Sequence, residues 1–400
     1  MNAVTMNMVQ VPIYLDNHAT TRCDPRVLQA MLPFFSEHYG NAASISHRFG
    51  DAARDAVEKA REQVAATVHA PPRSVVFTSG ATEANNLAIK GMTASRLRSR
   101  VSVHLVTNSA EHRAVLDPVR RLERAGATLK VVPVDQFGQV DPQSVADSIQ
   151  SDTALVSIML ANNEIGTINP IDEIATICRE RNVALHSDSV QGLGRIPIDF
   201  MNSGCDLLSI TAHKLYGPKG IGALIVRRGQ GRGRLVLEPL FDGGGHENQL
   251  RSGTLPVPLI VGFGEACRIA IDTQREEEIR LGELQDRLWN GLQSQLEGLH
   301  LNGHPTERLP GNLNVSFEGV DGDALMNSVK DIAVSSGSAC TSADPEPSHV
   351  LRAIGRSDSL TRASLRFGIG RFNTEDEIDF AVEHVSCVVK QLRMPSFTSP

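Results

Sequence analysis

The chain has 400 residues, of which 41% are hydrophobic, enough for two domains or one large domain with a full core. Lysine and arginine total 39 against 46 aspartates and glutamates, a formal net charge of -7. This balance indicates no general affinity for nucleic acid or anionic membranes, so we expect no direct nucleic-acid binding. The first residues show neither a secretory signal nor an Arg-rich presequence, and no apolar run reaches about 18 residues. We expect a cytoplasmic protein without membrane attachment.

The six cysteines are far apart and include no Cys-x-x-Cys pair, which argues against a disulfide scaffold or a zinc knuckle. Cys340 differs from the others because its neighbours at 335–343, Ser-Ser-Gly-Ser-Ala-Cys-Thr-Ser-Ala, are small and polar. Such a composition is typical of a surface loop, on which a thiol is accessible. The alternative is that Cys340 is only a small residue in a turn.

Strand-like and helical segments alternate along the first part of the chain. The predicted strands are the apolar segments at 75–77, 103–106, 155–160, 183–185, 206–212 and 221–226. Helices are expected to begin near residues 82, 112 and 170. This alternation predicts an α/β fold with a doubly wound, mostly parallel sheet, in which ligands bind at the carboxyl ends of the strands.

The pattern changes in the second part of the chain. The predicted elements there are helices at 257–271 and 275–296, strands at 312–317, 333–335 and 363–367, and a last helix at 374–392. Strands mixed with helices in this way favour a smaller α+β domain. We therefore predict a large domain at 21–264 and a small domain made of 1–20 with 265–400, which carries the Cys340 loop.

Polar residues stand where several predicted strands end. Lys214 follows the strand 206–212, where burial of an ammonium lowers its pKa and suits it to form a Schiff base, although a loop lysine that reaches solvent is the simpler alternative. Thr-Ser-Gly-Ala-Thr-Glu at 78–83 turns into a helix whose free amides favour a phosphate, or forms an ordinary helix cap. Asp188 is able to pair with a buried cationic ring nitrogen, or to cap a helix.

Phosphate turn, buried acid and strand-end lysine occur in the order Thr82, Asp188, Lys214, and together they are the parts needed to hold pyridoxal phosphate. The conjunction is much more specific than any one of its members. The chain contains no G-x-x-x-x-G-K-[ST] motif and no clear G-x-G-x-x-G after a strand, so nucleotide triphosphates and dinucleotides are poorly supported.

The chain resembles the cysteine desulfurases, within the class V aminotransferase group of fold-type I pyridoxal-phosphate enzymes. The matching motifs are Tyr-Leu-Asp-Asn-His-Ala-Thr-Thr at 14–21, Gly-Asn at 40–41, 78–83, Glu-His at 111–112, Asn-Asn-Glu-Ile-Gly at 162–166, Asp-Ser-Val-Gln at 188–191, His-Lys at 213–214, Gly-Gly-Gly-His-Glu at 243–247, Arg-Ser-Gly-Thr at 251–254, 335–343 and Arg-Phe at 366–367. The resemblance thus covers nearly the whole chain. The short loop before Cys340 is similar to that of housekeeping and nitrogen-fixation members.

The resemblance implies a role for each matching residue. Lys214 carries pyridoxal 5'-phosphate, Asp188 pairs with its ring nitrogen, Gln191 donates to its phenolic oxygen, and His112 stacks on the ring. Ala81, Thr82, Thr211 and His213 bind the phosphate in the same subunit, and Thr254 reaches the phosphate of the other subunit of a homodimer. Asn163 lies beside the ring, and Asn41 and Arg366 bind the substrate, with Arg366 on its carboxylate. No metal is implied.

The implied reaction removes sulfur from L-cysteine and releases L-alanine. Lys214 moves a proton from the substrate's Cα, and the thiolate of Cys340 takes the sulfur as a persulfide for an acceptor protein in iron-sulfur cluster assembly or thiolation. His112 is a proton relay or only a stacking residue. The other readings are another class V enzyme, such as a selenocysteine lyase or aminotransferase, and a non-catalytic adaptor of the same fold.

Other features suggest further roles without deciding them. The arginines at 227, 228, 232 and 234 contact tRNA or an acidic partner, or belong to a solvated loop. His246 and Glu247 alone make a weak metal site, and we predict no metal. Housekeeping members carry a longer C-terminal tail that docks the iron-sulfur scaffold, so the short segment here shifts the expectation towards nitrogenase maturation or thiolation of tRNA or DNA.

Overall fold

The computed structural model describes residues 9–228, 235–336 and 347–394. Its strands are β1 (Ile13–Tyr14), β2 (Val75–Thr78), β3 (His104–Asn108), β4 (Thr128–Val132), β5 (Thr153–Ser157), β6 (Ala184–Asp188), β7 (Leu207–Thr211), β8 (Gly222–Val226), β9 (Leu299–Asn302), β10 (Asn312–Phe317), β11 (Ile332–Ala333) and β12 (Ser364–Gly368). Its α-helices are α1 (Pro25–Met31), α2 (Pro33–Ser36), α3 (Arg48–Thr67), α4 (Ala81–Arg98), α5 (Arg113–Arg124), α6 (Pro142–Ser148), α7 (Ile171–Glu180), α8 (Phe200–Ser203), α9 (Val257–Gln295), α10 (Gly322–Ser328), α11 (His349–Ala353), α12 (Asp358–Arg362) and α13 (Glu375–Arg393).

The large sheet has seven strands in the order β2-β8-β7-β6-β5-β3-β4. β7, β6, β5, β3 and β4 pair in parallel, whereas β8 is antiparallel to both of its neighbours. The chain between β7 and β8 holds only a short 3-10 turn at Ala212–Lys214 and no crossover helix, so the second strand returns antiparallel to the first. The mostly parallel α/β sheet predicted from the sequence is confirmed.

The strands of this sheet are buried because helices pack against both of its faces. β2, β3, β5, β6, β7 and β8 are buried at every position, which explains why they read as continuous apolar runs. One apolar core joins α3 and the start of α9 to one side of the sheet, and another joins α4 and α5 to the other side. The polar ends of the strands therefore meet at one edge.

A second core belongs to a smaller unit. Its antiparallel sheet has the order β12-β10-β9, and β1 from the start of the chain pairs in parallel with β11. Ile13 and Leu15 lie in the same core as the last part of α9 and the inner face of α13. The N-terminal segment thus packs with elements that follow it by some 300 residues, as 332 pairs with 13.

The two helices predicted at 257–271 and 275–296 are one continuous helix, α9, and this expectation was wrong. Its first half buries Phe263 and Cys267 in the large core, and its second half buries Leu284 and Leu288 in the small one. The charged stretch between the halves is the exposed crossing, not a loop. The boundary that we predict between 264 and 265 falls inside this helix, and the domain division remains a prediction. Over the described ranges, no helix is both long and apolar enough to cross a membrane.

Candidate active site

A cavity of about 540 Å³ opens where β2, β3, β5, β6 and β7 end. Most of the residues predicted for the site line it: Ala81, Thr82, His112, Asn163, Asp188, Gln191, Thr211, His213, Lys214 and Arg366. They come from six segments that are distant in sequence. The strand-end position marked Thr82, Asp188 and Lys214 in the sequence, and the other residues were predicted from the resemblance.

Lys214 is the last residue of the 3-10 turn that follows β7. Its Nζ does not extend to solvent but donates to two backbone carbonyls at the start of the chain, that of Ala19 at 2.6 Å and that of His18. Both acceptors lie in the segment after β1, so the small unit helps to hold the amine in the cavity wall. The simple alternative of a solvent-directed loop lysine is not what the structure has.

Asp188 ends β6 and is buried. Its Oδ2 accepts a 2.7 Å hydrogen bond from Nδ2 of Asn85, and its Oδ1 accepts from the amide of Val190 at 3.2 Å. Residues 190–195 form turns, so Asp188 does not cap a helix. Glu111 lies in the same buried region, and its burial, followed by the charge of Asp188, raises its pKa well above 4.5. Of these two acids, Asp188 is the one that lines the cavity.

The first turn of α4 forms the anion-binding end of the cavity. Its N-cap is Gly80, which offers no side-chain cap, and Thr78 turns its hydroxyl to the Gly80 carbonyl at 3.0 Å. The amides at Ala81 and Thr82 are therefore open to a ligand, with the helix dipole behind them. A Cβ on Gly222 of β8 would lie 2.8 Å from the Gly80 backbone, so glycine there allows the close approach that shapes this turn.

Three further residues complete this end of the cavity. His213 is partly buried, and burial together with the charges of Lys214 and Lys219 lowers its pKa to about 4, so it meets an anion as a neutral hydrogen-bond donor. Thr211 is buried and its hydroxyl donates to the Ile221 carbonyl at 3.0 Å. Lys219, which the sequence reading did not single out, also lines the cavity and brings positive charge to it.

His112 is the N-cap of α5. Its Nδ1 accepts from the amide of Ala114 at 3.1 Å, so the neutral ring carries its proton on Nε2. The preceding turn is fixed by the carbonyl of Glu111, which contacts Nε2 of His349 at 2.9 Å. This arrangement gives the cavity wall a flat ring with a defined tautomer.

Arg366 lies in β12 and is 1% exposed. It donates to Asp16 at 2.7 Å, to the Asn163 carbonyl at 3.1 Å and to the Ser335 hydroxyl at 3.2 Å. Its Nε has no partner within the described ranges. The guanidinium is thus held rigidly by both units, and Arg366 lines the cavity, where a guanidinium suits a carboxylate.

Three predicted residues lie elsewhere. Asn41 is exposed and caps its own turn by accepting from the amide of Ala43 at 2.9 Å, and Thr254 is exposed on a surface loop. Neither lines the cavity of its own chain. Cys340 lies outside the described residues. The roles of all three stay predictions, as do those of the residues in the cavity.

Besides Lys219, two further lining residues were not predicted from the sequence. Asn85 lies in α4 and bonds to Asp188, from which it is 103 positions distant. His18 stands within the motif 14–21 and is fully buried beside Gln191, with its Nδ1 2.8 Å from Oε1 of that amide. Only the motif marked His18, and no local pattern marked Asn85. Among the residues that the structure describes, no group of three or more His, Cys, Asp or Glu is placed to hold a metal ion.

Comparison with known proteins identifies the family. Residues 13–380 match the family described as Aminotransferase class-V. The chain belongs to this family. A cysteine desulfurase IscS of Anaeromyxobacter dehalogenans is 52% identical over 385 residues, which are 96% of this chain and 94% of the relative.

Two solved structures extend the comparison of this class-V chain. A NifS-like protein matches with a TM-score of 0.87 and 36% identity over 95% of this chain and 100% of its own. A structure of SspA in complex with cysteine matches with a TM-score of 0.77 and 35% identity over 90% and 100% of the two chains. The family and the fold-type I architecture predicted from the sequence are confirmed.

The family's cofactor is pyridoxal 5'-phosphate, as predicted. The residues of the cavity fit this group: an amine at Lys214, a buried acid at Asp188, open amides at the start of α4 and a neutral ring at His112. Buried Nε2 of His18 and Oδ1 of Asn85 have no partner in the described part of the chain. The site therefore has the donor set and the room for the cofactor.

Proposed function

We propose that this class-V enzyme is a cysteine desulfurase in which the cavity residues hold pyridoxal phosphate and L-cysteine, and Cys340 receives the sulfur. The desulfurase function predicted from the sequence is confirmed by relatives that carry this name at about half identity over nearly the whole chain. The observation that carries the assignment of residues is the convergence of Lys214, Asp188, His112 and Arg366 on one cavity.

Bound pyridoxal phosphate supplies an electron sink that makes the substrate's Cα proton acidic and its Cβ–S bond breakable. Lys214 holds the cofactor through its amine and, when released, accepts and returns the Cα proton. Asp188 keeps the ring nitrogen protonated through its negative charge. Arg366 orients the substrate carboxylate, because its guanidinium is already fixed by Asp16 and the Asn163 carbonyl.

Sulfur transfer belongs to Cys340 in this proposal. Its thiolate forms an S–S bond with the substrate sulfur while the Cβ–S bond breaks, and the carbon fragment keeps the electron pair, takes up a proton and leaves as L-alanine. His112 holds a proton on Nε2 at the cavity wall and is the candidate to deliver or accept it.

The residues on either side of 337–346 support this role because they contact the site. Ser335 exchanges two backbone hydrogen bonds with Arg366, at 2.7 and 3.3 Å, and its hydroxyl accepts a third. On the other side, Ser348 donates to Glu164, and His349 contacts the carbonyl before His112. In the sequence, Cys340 is five positions after Ser335 and eight before Ser348, so the described residues that flank its segment on both sides contact residues of the site.

The persulfide is passed to an acceptor protein, and we propose iron-sulfur cluster assembly as the pathway, in line with the IscS name of the relatives. We further propose a homodimer in the cytoplasm. Thr254 supports the dimer because it is exposed and does not line its own cavity, as a residue that serves the partner's phosphate should be.

The deciding experiment compares Cys340→Ser with wild type for the release of alanine and sulfide from L-cysteine in the presence of a thiol reductant. We expect the variant to lose at least about two orders of magnitude in turnover while it still binds the cofactor. The matched control is Cys387→Ser, which changes an exposed cysteine on α13 and should turn over normally. Unchanged turnover of Cys340→Ser would refute the sulfur-transfer assignment.

The same variant separates the alternative class-V readings. A selenocysteine lyase or aminotransferase has no need of Cys340 and would keep its activity on its own substrate in Cys340→Ser. A non-catalytic adaptor would remain colourless after incubation with pyridoxal phosphate. Lys214→Ala supplies the control for covalent attachment, because it should bind the cofactor reversibly and fail to turn over.

A further inference from the structure

His18 occupies a central position in the site although the reaction described above gives its side chain no task. The imidazole is fully buried, lines the cavity, and belongs to the segment whose carbonyls accept from Lys214. It is held in place by the second unit, since Gly368 of β12 approaches it so closely that a Cβ there would lie 3.0 Å from its ring.

His18 and Gln191 form a closed ring of two hydrogen bonds. Nε2 of Gln191 donates to the backbone carbonyl of His18 at 3.0 Å, and Oε1 of Gln191 lies 2.8 Å from Nδ1 of His18. A carbonyl only accepts, so the NH₂ end of the amide must face it. Oε1 consequently faces the imidazole, and Nδ1 must carry the proton that it accepts.

The electrostatics of the site agree with this tautomer. Burial, followed by the charge of Arg195, lowers the pKa of His18 well below 6.5, and the bond to Gln191 opposes this only in part. The ring is therefore neutral and has a single N–H. Its Nε2 is buried with no partner in the described part of the chain, which is compatible with a bare lone pair and places the one proton on Nδ1.

The orientation of Gln191 decides what the cavity offers to a ligand. With Oε1 turned to His18 and one N–H bonded to the carbonyl, the second N–H of the amide is left for the cavity that Gln191 lines. A flipped amide would present its oxygen instead. Because the phenolic oxygen of pyridoxal phosphate carries negative charge, the first orientation attracts it and the second repels it.

We propose that His18 is a positioning residue for the cofactor, which locks the Gln191 carboxamide with its N–H toward the phenolic oxygen of pyridoxal phosphate. The inference rests on the proposed function, in which that cofactor occupies this cavity. The imidazole of His18 acts through Gln191, whereas the contact of His18 with Lys214 is made by its backbone carbonyl alone.

Two substitutions at position 18 test this role. In His18→Asn, the side-chain nitrogen stands where Nδ1 stands and still donates to Gln191. In His18→Leu, a methyl group of similar shape takes that place and donates nothing. We expect His18→Leu to bind pyridoxal phosphate about tenfold more weakly, the effect of one lost hydrogen bond to a charged oxygen, and His18→Asn to bind it as wild type does.

The visible absorption band of the bound cofactor gives a second readout that a merely structural role would not move. A donor on the phenolic oxygen withdraws charge from it and makes the neighbouring imine nitrogen less basic. The pH midpoint of the colour change should therefore rise by about one unit in His18→Leu and stay in place in His18→Asn. The other titratable groups lining the cavity are the same in all variants: Glu83, His112, Asp188, His213, Lys214, Lys219 and Arg366.

A double-mutant cycle shows whether His18 acts through Gln191. In a Gln191→Ala background the amide is gone, so the additional change His18→Leu should leave affinity and midpoint where Gln191→Ala alone puts them. An undiminished effect in that background, an unshifted midpoint in His18→Leu, or an equal shift in His18→Asn would each overturn the proposal.

Wild-type protein distinguishes this inference from the proposed function. If wild type takes up no pyridoxal phosphate, the proposed function itself fails. If wild type becomes yellow and His18→Leu is indistinguishable from it, only the role of His18 is refuted. Circular dichroism and thermal unfolding of the cofactor-free proteins identify a variant that has not folded. If His18→Leu has not folded, the double-mutant cycle is measured with His18→Asn. The coupling energy between the asparagine introduced at position 18 and Gln191 should then equal that between the native His18 and Gln191.

Discussion

Asn85 donates a 2.7 Å hydrogen bond from Nδ2 to Oδ2 of Asp188, and both side chains are buried in the wall of the cavity. Asn85 lies one helical turn after Ala81, whose amide belongs to the anion-binding end of the same helix, α4. One helix thus presents open amides to the phosphate and orients the carboxylate that meets the ring nitrogen. The helix fixes the distance between the open amides at its start and Asn85, which holds the carboxylate of Asp188.

Replacing Asn85 by leucine should weaken the binding of pyridoxal phosphate about tenfold, because Asp188 loses a hydrogen bond that holds its carboxylate. Titration of the cofactor-free protein, followed by absorbance, measures this. The matched control is Asn86→Ala, since Asn86 only donates to the carbonyl of Thr82 in its own helix. Equal affinities for Asn85→Leu and Asn86→Ala would contradict the positioning role.

The contrast between Asp188 and Asn85 shows how far the sequence leads. Asp188 stands at the end of a buried strand, and chain position alone predicts that it faces a ligand. Asn85 lies in the middle of a helix, and its importance comes from a contact across 103 residues that no periodicity reveals. The prediction of strands is limited in a similar way. β4 and β9 lie at sheet edges and are only partly apolar, and they were not predicted from the sequence, whereas the buried strands of the large sheet were.

Glu164 should make stability fall as the pH rises. Its burial raises the pKa of its carboxyl to about 7, while Ser348 donates to its Oε2. Between about pH 4.5 and 7 the folded chain keeps a proton that the unfolded chain has lost, so the contribution is full below that window and disappears as the pH rises through it.

Glu164→Gln tests this because it is neutral at every pH and keeps an oxygen for Ser348. From pH 4.5 to 7, the free energy of unfolding of wild type relative to Glu164→Gln should fall by about 3 kcal/mol. Urea unfolding of the two cofactor-free proteins at several pH values measures the difference, in which the other titrating groups cancel. Parallel curves for the two proteins are the result that this prediction does not survive.

Glu247 should be a stability determinant and not a metal ligand. Its two oxygens accept from Arg61 at 2.7 and 2.9 Å, and one also accepts from the amide of Phe77 at 2.8 Å. It is the first of three consecutive non-glycine residues, 247–249, with φ of 51, 56 and 66°. Each such residue costs about 1–3 kcal/mol, so the bonds of Glu247 hold a strained turn in place.

Glu247→Ala should lower the free energy of unfolding by about 3–5 kcal/mol, because it removes the buried carboxylate that pairs with Arg61 and leaves that guanidinium only the Val75 carbonyl and the exposed Glu58. Denaturant unfolding of the cofactor-free protein provides the measurement. Arg98→Ala is the control, since it breaks an ion pair with Glu238 on the surface and should change the midpoint little. A loss of stability no larger than that of the control would show that the pair does not hold the turn.

Thr254 should serve the cavity of the partner subunit, and mixed dimers reveal this. Lys214→Ala inactivates its own site, and Thr254→Asp places a negative charge where the partner's phosphate is expected, so each variant alone should be inactive. In a mixed dimer, the site that retains Lys214 receives its native Thr254 from the Lys214→Ala subunit.

Co-expression of the two variants in equal amounts should therefore restore roughly a quarter of the wild-type activity, since half of the dimers are mixed and each has one intact site. If Thr254 instead serves its own subunit, the site with Lys214 also carries Thr254→Asp and the mixture stays inactive. A third protein carries both substitutions in one chain and is paired with wild type. In these mixed dimers the wild-type chain should be inactive, because the phosphate in its site faces the aspartate at position 254 of the partner.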